Sequence, residues 1–190
     1  MASLKIVQAL WNLGRGGAER VVFDLAVEHK KRGHDVTILT ACGGGLMEAE
    51  FTKAGIPFEL GPVTGNRLQT RAFFLEALQR LQPDILHTHL GADQWAGMAA
   101  RSLRTMRWIS TIHNDDKDDP FVRHALRGFM YRRADQVVCI SQAVKKYAQK
   151  EFRVPVERLS IIRNGINLQA LKPRSSQDFS DIPRILCIGR

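Results

Sequence analysis

The chain has 190 residues, of which 44% are hydrophobic and 25% charged, values that exclude a disordered or fibrous polypeptide and leave room for one well-packed domain. No apolar run approaches the ~18 residues that a membrane-spanning helix needs and no apolar signal-peptide core opens the chain, so a cytoplasmic protein is expected. The net charge of +9 calls for an anionic partner or surface; without a zinc-finger, recognition-helix or base-stacking motif beside it, nucleic acid is not expected, and an anionic membrane surface fits.

Residues 4–9 read as a buried strand, 10–13 as a turn, and Gly14-Arg15-Gly16-Gly17-Ala18-Glu19-Arg20 as the glycine-rich start of a helix. The first N–H groups of a helix have no intrahelical acceptor, and the aligned peptide dipoles add partial positive charge, so such a start suits phosphate oxygens. Gly16 and Gly17 have no Cβ; a sharp turn with φ > 0 and close approach of a ligand are both open to them. A dinucleotide fingerprint is not met. Glu19 stands where the third glycine would be, and the second strand, 35–40, runs into Ala41-Cys42-Gly43-Gly44-Gly45 with no carboxylate for a ribose. A nicotinamide dehydrogenase is thereby disfavoured, leaving a phosphate cradle or a plain turn.

Beyond the loop, Ala18, Val21, Val22, Leu25 and Ala26 keep helical spacing until Gly33 stops the run. A short helix over about 46–54 leads to a brief strand at 56–60, which Pro57 confines to a sheet edge. Phe73, Phe74, Ala77, Leu78 and Leu81 mark a helix ended by Pro83, followed by a strand at 84–88. A helix through Ala92, Trp95, Ala96, Ala99, Ala100 and Leu103 and a strand at 107–113 come next. A helical stripe from Phe121 to Met130, a strand at 136–140, Ser141 as the N-cap of another helix, and a strand at 159–162 complete the pattern. Asn164-Gly165 favours a turn. The alternation of strand and helix implies α/β architecture, a Rossmann-like doubly wound parallel sheet. Residues 1–172 are expected to form one domain, 173–182 a linker, and 183–190 the first strand of a second, truncated domain.

Cys42, Cys139 and Cys187 are odd in number and far apart, which suits reduced thiols. His113 closes a strand at the carboxyl edge, where open α/β sheets place their ligands. His87 and His89, two apart, can share one face of a strand; a metal pair lacks a third ligand at diagnostic spacing, so no metal is expected. Between Phe121 and Arg158 stand nine basic residues against three acidic ones, either a solvated helix surface or a contact for an anionic leaflet.

Four stretches in order carry a resemblance: Gly16-Gly17-Ala18-Glu19-Arg20, Thr111-Ile112-His113-Asn114, Ala134-Asp135-Gln136-Val137-Val138-Cys139-Ile140-Ser141, and Ile162-Arg163-Asn164-Gly165-Ile166-Asn167. Together they resemble the N-terminal half of the family 4 glycosyltransferases, retaining nucleotide-sugar enzymes of the two-domain GT-B fold. Arg163 and Asn167 replace a proline and an aspartate usual in that family.

The resemblance implies the acceptor-side half of a transferase that moves a sugar from a nucleotide-sugar donor to a polysaccharide, lipopolysaccharide or glycolipid precursor. Gly16 and Gly17 would meet the donor diphosphate, His113 would be catalytic, and His89, Asn114 and Asp115 would line the acceptor side. No cofactor or metal is implied, and the Asp-x-Asp within residues 115–119 reads as a solvated loop. A missing C-terminal domain would hold the nucleotide, so the isolated chain is expected to be inactive. Location at the cytoplasmic face of a membrane follows from the same likeness and the basic charge. Two other readings stay open: a truncated, non-catalytic domain that binds acceptor or membrane, and a GT-B-fold nucleotide-sugar epimerase.

Overall fold

The computed structural model describes residues 2–63, 66–114, 120–166 and 168. Asp115, the 173–182 linker and the 183–190 strand expected from the sequence lie outside the described residues.

The short β-branched runs become strands β1 (Lys5–Leu10), β2 (Asp35–Thr40), β3 (Phe58–Glu59), β4 (Ile85–His89), β5 (Arg107–Ile112), β6 (Gln136–Cys139) and β7 (Leu159–Ile161). The helices between them are α1 (Gly17–Lys31), α2 (Glu48–Lys53), α3 (Arg67–Leu81), α4 (Asp93–Leu103), α5 (Phe121–Tyr131) and α6 (Gln142–Lys150). Every strand pair is parallel, in the order β3-β2-β1-β4-β5-β6-β7. Parallel neighbours require a crossover at each step, which the helices supply. This is the Rossmann-like α/β sheet expected from the alternation, with the Pro57 strand at its edge.

Two apolar cores, one on each face, hold the layers together. Ile6, Leu10, Val36 and Ile38 meet Val22, Ala26 and Phe51 of α1 and α2 on one face. Val7, Ala9, Leu86, Trp108 and Val137 meet α3 to α6 through Phe74, Leu78, Ala96, Tyr131 and Ala148 on the other. Strands buried on both sides can carry apolar residues at consecutive positions, as at Ile6-Val7 of β1, Ile38-Leu39 of β2 and Val137-Val138 of β6. The winding reverses between β1 and β4, where Gln8 pairs with His87 and Ala9 with Thr88.

Three local expectations are corrected. α3 starts at Arg67, ahead of its apolar stripe, because Asn66 closes a capping box: its Oδ1 accepts from the N–H groups of Leu68 and Gln69, both at 3.0 Å, and Gln69 Oε1 accepts from Asn66 N–H at 3.1 Å. α2 is shorter than expected and spans Glu48–Lys53. The bend before α1 does not use positive φ, since Gly16 is extended at φ −135°. The left-handed glycines near this edge are Gly43 at φ 58° and Gly91 at φ 80°.

Candidate functional site

Loops leaving β1, β2, β4 and β5 gather at the carboxyl edge of the sheet, around the β1/β4 reversal where open α/β sheets bind ligands. The first of them turns tightly, with Asn12 Oδ1 accepting from Gly14 N–H at 3.0 Å. It is braced by the loop after β2: Met47 N–H donates to the Leu13 carbonyl at 3.0 Å. A Cβ on Gly45 would overlap that carbonyl, so Gly45 permits the close approach.

α1 then opens at Gly17, with Gly16 as an N-cap that has no side chain to accept a hydrogen bond. The Arg20 N–H is the first to find an intrahelical acceptor, the Gly16 carbonyl at 3.0 Å. Among the described residues nothing accepts from the N–H groups of Gly17, Ala18 and Glu19. A Cβ at Gly17 would meet nothing within 4 Å, so the space before this helix end is open. Three bare donors at the positive end of a 15-residue helix can hold an anion. Arg20, one turn along, is engaged by Asp24 at 2.9 Å and Glu50 at 3.1 Å.

The histidines stand at the same carboxyl edge, at the ends of β4 and β5. Alternation along β4 sends His87 and His89 to the same face, and their ring centroids lie 4.1 Å apart. His87 Nε2 shares a 2.7 Å hydrogen bond with Thr111 Oγ1 of β5. His89 is fully buried, and its Nδ1 shares a 3.0 Å hydrogen bond with Nε2 of His113, just past the end of β5. The resemblance places His89 on the acceptor side; its ring is buried against His113 at the wall of the cavity beneath α1. His113 is half-buried and Asn114 exposed.

Burial disfavours the charged form of all three rings. It pushes the His87 pKa down to about 3, helped by His29 and His113, and the His89 pKa well below its ordinary value, helped by His87 and His113. It also lowers that of His113, which the Asp93 carboxylate pulls the other way. The three imidazoles are therefore neutral near pH 7. Among the described residues no group of three or more His, Cys, Asp or Glu side chains is arranged to hold a metal ion.

Sequence reasoning misses a buried acid on the α4 face of the sheet. Asp93, the first residue of α4, is fully buried and accepts from Thr88 Oγ1 at 2.7 Å, from Ser110 Oγ, and from the Tyr131 hydroxyl at 3.3 Å. Trp108 Nε1 donates to Thr88 Oγ1 at 3.0 Å, and Arg127 Nη2 to the Tyr131 hydroxyl at 3.0 Å. Burial, with the Asp93 carboxylate, keeps the Tyr131 phenol protonated. This network ties β4, β5, α4 and α5 together. The signal for it is an acid in the first helical turn four residues after a strand-end histidine. On the other face, a cavity of about 710 Å³ runs between α1, the sheet residues His87, His89, Thr111 and Val138, and residues 162–166.

Residues 15–170 match a family model described as Glycosyltransferase Family 4. An uncharacterized glycosyltransferase of Methanocaldococcus jannaschii is 24% identical over 187 aligned residues, which cover 86% of this chain and 47% of that protein. The crystal structure of Anabaena Alr3699/HepE in complex with UDP-glucose has a TM-score of 0.76 at 17% identity, over 87% of this chain and 45% of that one. The lipopolysaccharide outer core galactosyltransferase WaaB in its apo form has a TM-score of 0.69 at 16% identity, over 93% and 50%. At these identities the structural likeness is one of fold. The chain spans about half the length of the proteins it matches.

Proposed function

The chain belongs to Glycosyltransferase Family 4, and from that premise we propose that it is the acceptor-side half of a retaining transferase using a nucleotide-sugar donor. The observation that carries this reading is the open start of α1, with unpaired N–H groups at Gly17, Ala18 and Glu19, at the same carboxyl edge of the sheet as the His89–His113 pair. As the bond between the sugar and the diphosphate breaks, negative charge grows on the leaving phosphate. Fixed backbone donors and a helix end favour that charge without having to reorganise. His113, neutral and half-buried, offers one ring nitrogen to an oxygen of the transferred sugar or the acceptor. Asn114 and, on the resemblance alone, Asp115 are assigned to the acceptor.

A second domain completes the site and supplies most contacts to the nucleotide, so the isolated chain transfers nothing by itself. The donor is a UDP-sugar, the class of ligand held by the HepE complex. The acceptor is a polysaccharide, lipopolysaccharide or glycolipid precursor at the cytoplasmic face of a membrane, a reading supported by the likeness to a lipopolysaccharide galactosyltransferase and by the basic surface. No metal or other cofactor takes part.

The test uses an enzyme that joins this chain to a nucleotide-binding domain. Gly17→Val introduces a branched side chain where a Cβ meets no protein atom, so thermal stability is expected to hold while UDP-sugar binding falls at least ~10-fold. His113→Ala should lower transfer by about 10²-fold, the order seen when a single transition-state hydrogen-bond donor is lost. Normal donor affinity in the first variant and normal turnover in the second would overturn the assignment. Isomerisation of the free nucleotide sugar with no acceptor present would mark an epimerase instead.

A further inference from the structure

We infer that His89 is a positioning residue that sets the tautomer of His113: His89 Nδ1–H donates to His113 Nε2, leaving His113 with its proton on Nδ1. This rests on the proposed placement of His113 in the sugar-transfer site, but the proton assignment itself follows from the hydrogen-bond inventory. Two neutral imidazoles joined by one hydrogen bond can share it in two ways. In the first, the proton lies on His89 Nδ1 and the other nitrogen of that ring, Nε2, is a bare lone pair. In the second, His113 Nε2 donates, and His89 must carry its own proton on Nε2.

His89 Nε2 decides between them. It is buried and has no hydrogen-bond partner. A buried N–H with no acceptor forfeits a strong donor, and orphaned donors are scarcer in folded proteins than under-used acceptors. The arrangement that leaves only a lone pair stranded is favoured. Burial lowers the pKa of both rings, so the cationic form that would fill every nitrogen with a proton is not available near neutrality.

The His89 ring is also held in place. One side packs on His87 at 4.1 Å, itself tied to Thr111, and the other meets His113 at a centroid distance of 5.3 Å. The backbone beyond it is constrained by consecutive left-handed residues, Leu90 at φ 45° and Gly91 at φ 80°. Orienting a functional histidine is often a carboxylate's task. Here the nearby carboxylate, Asp93, is taken up by Thr88, Ser110 and Tyr131, which leaves the task to His89.

The chemical consequence is specific. His113 Nδ1 has no hydrogen-bond partner among the described residues. Carrying the proton, it acts as a donor toward a hydroxyl, ring or phosphate oxygen of a bound sugar nucleotide or acceptor, and not as a base at that atom.

The experiment is long-range proton–nitrogen correlation NMR of the imidazoles in the ¹⁵N-labelled 190-residue chain at pH 7.5. His113 should show a protonated Nδ1 and an unprotonated Nε2, and His89 the same pattern. His89→Asn keeps an N–H donor near the position of Nδ1 and should preserve the His113 tautomer; His89→Leu should return His113 to the Nε2–H form that free imidazole prefers. An Nε2-protonated His113 in the wild-type chain, or an unchanged tautomer in His89→Leu, would overturn the inference. The wild-type spectrum decides even where a variant fails to fold. Since the readout involves no turnover, Nδ1–H on His113 together with normal donor binding in Gly17→Val would uphold this assignment while the transferase reading fell.

Discussion

At the scale of single residues, the chain holds three neutral histidines in a row where water would let them charge. His87 and His89 are kept far below their ordinary pKa by desolvation, and His113 is lowered as well. A histidine neutral in the folded state but titrating near 6.5 when unfolded makes the unfolded chain bind more protons on acidification. Stability is then complete above about pH 6.5 and is lost as the pH falls toward 3, the folded value for His87. Each histidine that stays neutral contributes at most about 1.4 kcal/mol per pH unit across that window. Urea unfolding at pH 7.5, 6.0 and 5.0 should show the midpoint dropping at each step. A flat midpoint over that range would mean that the rings are hydrated. The sequence marks His87, His89 and His113 as residues of interest, and spacing alone puts the first two on one face. It cannot show that His89 has no surface, because burial depends on which strands flank β4.

At the scale of elements, the sequence is most legible where a local rule suffices. Ser141 caps α6 as expected, its Oγ accepting from Val144 N–H at 3.2 Å. The start of α3 is less legible, although Asn66 and Gln69 stand three apart in the manner of a capping box; no apolar stripe begins until Phe73, so periodicity places the helix too late. Asn66→Ala removes both bonds accepted by the side chain, and about 1 kcal/mol of stability should go with them. A lower melting temperature with the β-sheet signal intact is the expected result, and an unchanged one would show that α3 is held by tertiary packing alone. The glycine loop teaches the opposite lesson. Composition leads one to expect a bend through positive φ at Gly16 and Gly17, yet Gly16 is extended and the close contact is made by Gly45 from another loop. Close approach between two separate loops is a property of the assembled edge.

At the scale of the whole molecule, charge and exposed apolar surface coincide on α5. Phe121 is 85% and Val122 70% exposed, and Phe129 is 43% exposed beneath the Arg133 guanidinium, 3.3 Å from its ring centroid. Among the described residues no helix is long and apolar enough to cross a membrane, so a helical membrane contact made by them is a surface one. Aromatic and branched side chains beside arginines suit an anionic leaflet. The chain should therefore sediment with phosphatidylglycerol vesicles and not with phosphatidylcholine, and binding should weaken from roughly 0.05 to 0.5 M salt as screening shortens the reach of the charges. Equal binding to both vesicles would remove the electrostatic contact.

What the linear chain determined by itself was the alternation of strand and helix, the parallel sheet and the carboxyl-edge position of the glycine-rich loop and of His113. Those follow from short-range periodicity and from the requirement that each strand be buried on both faces. Only the tertiary structure decided that β4 lies between β1 and β5, that Asp93 is buried with Thr88, Ser110 and Tyr131, and that His89 meets His113 and not solvent. The reason is physical: hydrogen bonds and desolvation act through space, as between Asp93 and Tyr131, 38 positions apart, whereas a pattern of residue types records only what neighbours along the chain require.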